Sequence, residues 1–504
     1  MSQAATRASL APVIGLEVHV QLETETKIFC GCSTDTEDAE PNTNTCPVCL
    51  GLPGSLPVLN EAAVEAAVKL GKAIEADIPE RTRFHRKNYF YPDLPKGFQI
   101  TQYDAPICAD GHLEISHEGE RREIGIERAH LEEDPGSLQH AGGHIDTADY
   151  TLVDYNRAGV PLMEIVTEPD FRGPEEVRAF LSKLEEVLEY LGIYDSQRDG
   201  SLRVDANISL VEAEAIAADG SIEQSVLEAA NRTEVKNISS HKGAETALAY
   251  EVTRQRNAIE RGREVTQETR HWDESRGITV SMREKEAEKE YRYFREADIP
   301  PLEVAHWTDE IPIPELPEAR RDRFQTEYGL GSEAASKLTS TKQVADFFEA
   351  VAEQFDPDLA SAWVADILLG ELNYRDMAIT DVEDRFDELT RLVELVAEET
   401  ITERNAREVV LRSMLDEGLS PDEVVAREDL GKTDEDEVVA AVDAAIEANP
   451  DAVEDVLAGE EGAINFLVGQ VMQATGGRAD PGDVHQLLEQ RLPELRNRFI
   501  NALQ

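Results

Sequence analysis

Residues 12–22, PVIGLEVHVQL, alternate between two kinds of side chain. Leu16, Val18, Val20 and Leu22 recur at period two, as residues on the buried face of a strand do, which puts Glu17, His19 and Gln21 together on the opposite face. A carboxylate beside an imidazole can hold a metal ion or move a proton. The spacing predicts a strand with chemistry on one side, although a solvated edge strand would show the same alternation.

Other segments repeat the pattern. In 128–133, RAHLEE, the residues Arg128, His130 and Glu132 share a face if the stretch is a strand, which Asp134 and Pro135 end. In 154–170, DYNRAGVPLMEIVTEPD, a turn at Gly159 and Pro161 leads into a strand where Glu164 is set among Leu162, Met163, Ile165 and Val166. Burying a carboxylate there is costly unless it is paired or bound to a cation, so Glu164 is the strongest functional candidate on pattern alone. Residues 202–210 alternate most strictly, with Arg203, Asp205, Asn207 and Ser209 opposite Leu202, Val204, Ala206, Ile208 and Leu210. A further strand at 232–238 offers Arg232, Glu234 and Lys236. Several strands with one mixed-charge face predict sheets folded around a lined concavity.

Four of the five cysteines form two close pairs, Cys30-Gly-Cys32 and Cys46-Pro-Val-Cys49. Each pair can span one edge of a thiolate tetrahedron, which points to zinc; unligated cysteines are the alternative. Four protein ligands leave no open position, so such a zinc is structural. Cys108 stands alone and reads as a small core residue. Residues 60–76 read as a helix capped by Asn60, and 173–192 as a helix with Pro174 inside its start and Gly192 beyond its end. Between them, 87–103, KNYFYPDLPKGFQITQY, interleaves aromatics with Lys87, Lys96 and turn residues, a composition able to stack on a base and meet phosphate. A second basic and aromatic cluster, KEAEKEYRYFR, occupies 285–295.

The 504 residues suggest about three domains. No apolar run is long enough to span a membrane and no signal-peptide plan opens the chain, so the expectation is a soluble, cytoplasmic protein. Against 103 acidic residues stand 49 basic ones, of which 36 are Arg and 13 Lys, for a formal charge of -54. That is too large to be one functional patch, and it fits a cytoplasm of molar salt, where a Debye length of roughly 3 Å hides self-repulsion. The expected source is a halophile. The net charge is -22 over residues 1–295 and -32 over 296–504, a shift that marks a candidate boundary. Prolines 300, 301, 313 and 317 read as a linker, and most of the chain beyond them reads as helix, with a hinge near 427–437 and a helix at 462–476. Gly431-Lys-Thr lacks the glycine a phosphate loop needs five positions earlier, where Ala426 stands, and no strand precedes Gly329-Leu-Gly331.

Taken together, IGLEVHVQL, PNTNTCPVCLGLPGSLPVLN, KNYFYPDLPKGFQITQYD, HLEEDPGS, DYNRAGVPLMEIVTEPD, GSLRVDANISL, RTEVKNISS and EYRYFREADIPPL resemble, in order, the GatB family, the B subunits of the tRNA-dependent amidotransferase GatCAB. AINFLVGQVMQATGGRADPGDV is similar to the tail that this family shares with YqeY proteins. The resemblance implies an α+β fold: an antiparallel or mixed-sheet cradle catalytic domain over 1–295 with a zinc knuckle at 30–49, an all-α helical domain over 296–425, and a small all-α YqeY-like tail over 426–504. It implies an ATP-dependent ligase that phosphorylates the side-chain carboxylate of Asp-tRNA(Asn) or Glu-tRNA(Gln) and amidates it with ammonia from the A subunit, the C subunit clamping the other two. The implied partners are GatA, GatC and misacylated tRNA, with neither DNA nor a membrane. A zinc-bearing RNA-binding module without chemistry is the alternative.

Residue by residue, the resemblance assigns the phosphoryl site to Glu17, His19, Glu132 or Glu133, and Glu164, with His19, Glu132 and Glu164 holding Mg²⁺, or Mn²⁺ since imidazole is an unusual ligand for Mg²⁺. Lys87, Asn88, Tyr89, Arg157, Arg203, Asp205 and Asn207 are expected to hold ATP and the aminoacyl end, and Cys30, Cys32, Cys46 and Cys49 the zinc.

Overall fold

The computed structural model describes residues 9–36, 39–141, 148–198, 200–217, 220–282, 291–431, 435–458 and 461–502. The chain forms two units, Met1–Pro317 and Glu318–Gln504. The first contains strands β1 (Leu10–Gln21), β2 (Arg81–Thr82), β3 (Phe84–Asn88), β4 (Phe98–Gln102), β5 (Cys108–His117), β6 (Glu120–Glu133), β7 (Ser137–His140), β8 (Thr151–Asp154), β9 (Pro161–Thr167), β10 (Leu202–Glu212), β11 (Thr233–Ile238), β12 (Glu268–Asp273), β13 (Ile278–Ser281), β14 (Phe294–Arg295) and β15 (Leu302–Glu303).

β1 lies inside the main sheet. The order is β13-β12-β11-β10-β1-β9-β6-β4-β3-β14, with β5 paired to β6; β2 with β15 and β7 with β8 form two small ribbons. β11 and β12 run parallel and the other pairings are antiparallel, so the sheet is mixed, as expected. The apolar half of β1 behaves as its period demands: Leu16, Val18, Val20 and Leu22 are buried. Helices α1 (Glu61–Ala73), α2 (Pro174–Tyr190) and, after the short α3 (Gln224–Ala229), α4 (His241–Glu260) cover the sheet. α1 packs on β5 and β6, α2 on β5, and α4 on β10 and β11. The Asn60 side chain caps α1, accepting from the Ala62 amide at 2.9 Å.

The proline-bearing stretch around 296–317 is not a free linker. β14 pairs with β3, β15 with β2, and Val304 is 0% exposed in the core of the first unit. Proline is tolerated at such edges because an outward N–H has no ladder bond to lose. Of the 285–295 cluster, Lys285 and Lys289 lie outside the described residues, whereas 291–295 are described.

The second unit is helical, with one core running from Phe324 to Leu430 and another from Val438 to Leu492. Helix Glu461–Ala474 buries Leu467 and Val471 as its stripe predicts. The expected hinge near 427–437 falls partly outside the described residues; before it, Asp429 at φ 51 ends helix Pro421–Glu428.

Candidate active site

Register turns the alternation into a site. His19 on β1 stands opposite Glu164 on β9 and Arg203 on β10, and Glu164 in turn stands opposite His130 on β6. Antiparallel partners on one face lie within contact distance, so these side chains meet. His19 Nε2 is 3.4 Å from Glu164 Oε2 and 3.8 Å from Glu132 Oε1, and His130 Nε2 is 3.7 Å from Glu164 Oε2. One ligand atom from each of His19, Glu132 and Glu164 lies within 4.8 Å of the others. Glu132 and Glu164 are 2% and 8% exposed, so two carboxylates are buried side by side.

Their surroundings drive them apart. Burial, with the charge of Glu164, pushes the Glu132 carboxyl up to about 7. Burial would raise Glu164 too, but His130, His19 and Lys87 outweigh it and hold Glu164 well below the usual range. Burial alone would lower His19, yet the hydrogen bond and charge of Glu164 and the charges of Glu132 and Asp205 lift it to about 9. Burial likewise opposes the Lys87 ammonium, which the charges of Glu132 and Glu164 keep protonated. Without its cationic neighbours, such a pair of buried carboxylates would be untenable.

Glu17 belongs to a neighbouring group. It stands opposite Asp205, and its carboxylate lies with those of Asp205 and Glu234 within 4.8 Å. Asn207 Nδ2 donates to Glu17 Oε1 at 3.1 Å, and Lys236 pairs with Asp205 and, at 3.3 Å, with Glu234. Glu133 takes the opposite face from Glu132: it pairs with Lys96 and accepts the Ile100 amide at 2.8 Å. Asn88 Nδ2 donates to the carbonyls of Tyr291 and Arg292 at 3.2 and 2.9 Å, and the Tyr89 hydroxyl to Gln99 Oε1 at 3.4 Å. Arg203 Nη2 donates to Asp134 Oδ1 and Gln21 Nε2 to Asp134 Oδ2, both at 2.7 Å. Arg157 Nε lies 3.5 Å from the same carboxylate and donates to the carbonyl of Pro135 at 3.1 Å.

The four sulfurs of Cys30, Cys32, Cys46 and Cys49 lie within 4.8 Å of one another. A zinc tetrathiolate with Zn–S near 2.3 Å needs sulfur–sulfur edges of about 3.8 Å, so the set could hold zinc. A hydrogen bond from Cys30 and the charge of Lys27 lower the Cys49 thiol in spite of its burial. Two asparagines pin the knuckle to the chain after β8: the Asn42 amide donates to Asp154 Oδ1 and the Asn44 amide to Asn156 Oδ1, each at 2.8 Å.

The sequence model of the GatB/GatE catalytic domain matches residues 12–309, and that of a GatB domain matches residues 346–492. The chain belongs to the GatB family. The B subunit of an aspartyl/glutamyl-tRNA(Asn/Gln) amidotransferase from Natronomonas pharaonis is 73% identical over 492 residues, 97% of this chain and 99% of that protein. A protein of the same name from Halobacterium salinarum is 72% identical over 98% of this chain and 100% of its own length, and one from Methanospirillum hungatei 52% over 96% and 98%. The first two sources are halophilic archaea, in line with the expected salt adaptation. Among the described residues, no helix is long and apolar enough to cross a membrane.

Within this GatB-family site, reading by period finds the faces and misses Asp134. In the sequence that residue only marks the end of a strand, yet it lies two positions beyond Glu132 and its buried carboxylate holds Arg203, Arg157 and Gln21. Extending the alternation by one step would have found it.

Proposed function

We propose that the chain is the phosphorylating subunit of an amidotransferase that converts Asp-tRNA(Asn), Glu-tRNA(Gln) or both to the amidated forms. A carboxylate has no leaving group. In the proposed reaction, a side-chain carboxylate oxygen of the misacylated residue attacks the γ-phosphorus of ATP, ADP departs, and ammonia then displaces inorganic phosphate from the acyl phosphate. The observation that carries this reading is the meeting of His19, Glu132, Glu164 and Lys87, from four strands, beside one point of the sheet.

A divalent ion, Mg²⁺ or Mn²⁺, held by His19, Glu132 and Glu164 would neutralise phosphate charge. Lys87 offers an ammonium to the phosphate oxygens. Arg203, aligned by Asp134, faces His19 across the ladder and is suited to a second phosphate oxygen or the substrate carboxylate. Asn88 and Arg157, which bond backbone carbonyls, would act by holding their segments in place. Tyr89, Asp205 and Asn207 complete the assignment for ATP and the aminoacyl end, and Glu17 joins from the neighbouring group. Zinc in the knuckle would fix that loop. On this reading the chemistry belongs to residues 1–295 and the tail from 426 reaches the tRNA body, in a cytoplasmic complex whose A subunit supplies ammonia and whose C subunit clamps the other two. A module that only bound RNA would have no need to bury two carboxylates together.

The test uses the complex reconstituted with its A and C subunits in molar KCl. ADP should form only with misacylated tRNA, and Glu164→Gln should cut that rate about a hundredfold or more while tRNA still binds. ADP formation that ignores the aminoacyl group, or survives Glu164→Gln, would overturn the proposal.

A further inference from the structure

A ring pair beside the site has no part in the reading above. Tyr103, just past β4, stacks on Tyr293, just before β14, with ring centroids 4.2 Å apart and planes 6° from parallel. Both flanking strands are ladder partners of β3, so one strand sets the position of both rings. Tyr103 remains 46% exposed. Behind it, Tyr291 meets Tyr293 edge-on at 6.0 Å and Tyr89 at 5.9 Å, and Lys87 Nζ lies 5.0 Å from the Tyr291 centroid. The rings are therefore continuous with the ammonium of the candidate active site. The Tyr293 phenol feels that site: burial pushes it up to about 12, with the charges of Glu164 and Glu132 adding and that of Lys87 opposing.

Single exposed tyrosines are ordinary on protein surfaces. This one is backed by a parallel ring from a separate strand. A plane ordered in advance costs little further entropy when a flat π-system settles on it. We propose that Tyr103, backed by Tyr293, is a stacking platform for a purine base brought to the candidate active site. The force is suited to this chain, since base stacking needs no positive surface and survives salt that screens phosphate contacts. Two purines could be delivered there, the adenine of ATP and the terminal adenosine of tRNA, and they present the same chemistry. The location of the ligand rests on the phosphorylation reading, but the platform is tested by binding without turnover.

In the reconstituted complex in molar KCl with Mn²⁺, equilibrium affinities are measured for a non-hydrolysable ATP analogue, for deacylated tRNA, and for tRNA lacking its terminal adenosine. Tyr103→Ala should weaken one ligand on the order of tenfold, and Tyr103→Phe should restore it. A loss confined to the ATP analogue assigns the adenine of ATP. A loss confined to tRNA, and absent once the terminal adenosine is removed, assigns the acceptor end. If Tyr103→Ala does not fold, Tyr103→Leu keeps an apolar contact with Tyr293 without the π-face. Wild-type affinity for both ligands in the Ala or Leu variant overturns the platform. A complex that binds the ATP analogue through Tyr103 yet never forms ADP would sink the phosphorylation reading and leave the platform standing.

Discussion

At Gly71, in the body of α1, two residue-scale effects oppose each other. Alanine there would gain about 1 kcal/mol of helix propensity. Its Cβ, however, would sit 2.7 Å from Cys108 Sγ and 3.0 Å from Ile78 Cδ1. Cys108 is 0% exposed, and burial pushes its thiol up to about 12, so the sulfur is a packed neutral atom with little room to yield. Overpacking of this kind costs about 1–3 kcal/mol, enough to reverse the propensity gain. Gly71→Ala is therefore expected to lower stability by about 1 kcal/mol in denaturant titrations at fixed molar salt. Cys108→Ala combined with it should recover the loss beyond the sum of the two single effects. Strict additivity would show that sulfur and methyl never meet.

Among elements, the helices at 357–374 and 403–417 are joined through one carboxylate. Glu371 accepts from Arg375 Nη1 at 2.7 Å and from Arg412 Nη2 at 2.9 Å. Burial would raise this carboxyl, but the two guanidiniums outweigh it and hold it below its ordinary range. A depressed carboxyl contributes stability that is present above its unfolded value of about 4.5 and is lost as pH falls through the folded one. Glu371→Gln should lower stability by about 1 kcal/mol at pH 7, discounted for the half-exposed Arg412, and flatten the acid limb of a stability–pH curve measured down to pH 3. An unchanged acid limb would assign the acid sensitivity to other groups. The same scale marks where the sequence was legible. Period two exposed the faces of β1, β6, β9 and β10, because which side a residue takes is local. Which strands are neighbours is not local: the pairing of β1 with β9 and β10 that brings Glu164 to His19 is set by chain closure over more than a hundred residues. For the same reason Glu132 and Glu133 could be separated only by their partners, and the prolines near 300 concealed two short edge strands.

Over the whole molecule the governing quantity is charge. A chain at -54 repels itself wherever the Debye length exceeds the spacing of its surface carboxylates. That length is roughly 3 Å at 1 M salt and about 10 Å at 0.1 M, so dilution alone should unfold the protein. Tryptophan fluorescence followed on stepwise dilution of KCl should show a cooperative loss of structure, and persistence of the native signal in dilute buffer would remove salt adaptation as the reason for the composition. A related prediction concerns tRNA. Counterion release gives a salt slope near -0.9 per neutralised phosphate, and proteins that make about six to ten phosphate contacts lose several decades of affinity over a modest rise in salt. With 49 basic against 103 acidic residues, few phosphates can be neutralised without bringing carboxylates up to others. Recognition must then draw on stacking, shape and local clusters such as Arg81, Arg83, Arg86 and Lys87, several of which already have carboxylate partners in Glu303, Asp104 and Glu296. Plotted as log affinity against log salt between about 1 and 3 M KCl, tRNA binding by the assembled complex should have a slope of magnitude below about 2. A steep slope would mean that a basic footprint exists after all, supplied by the partner subunits or by these arginines released from their carboxylates on binding.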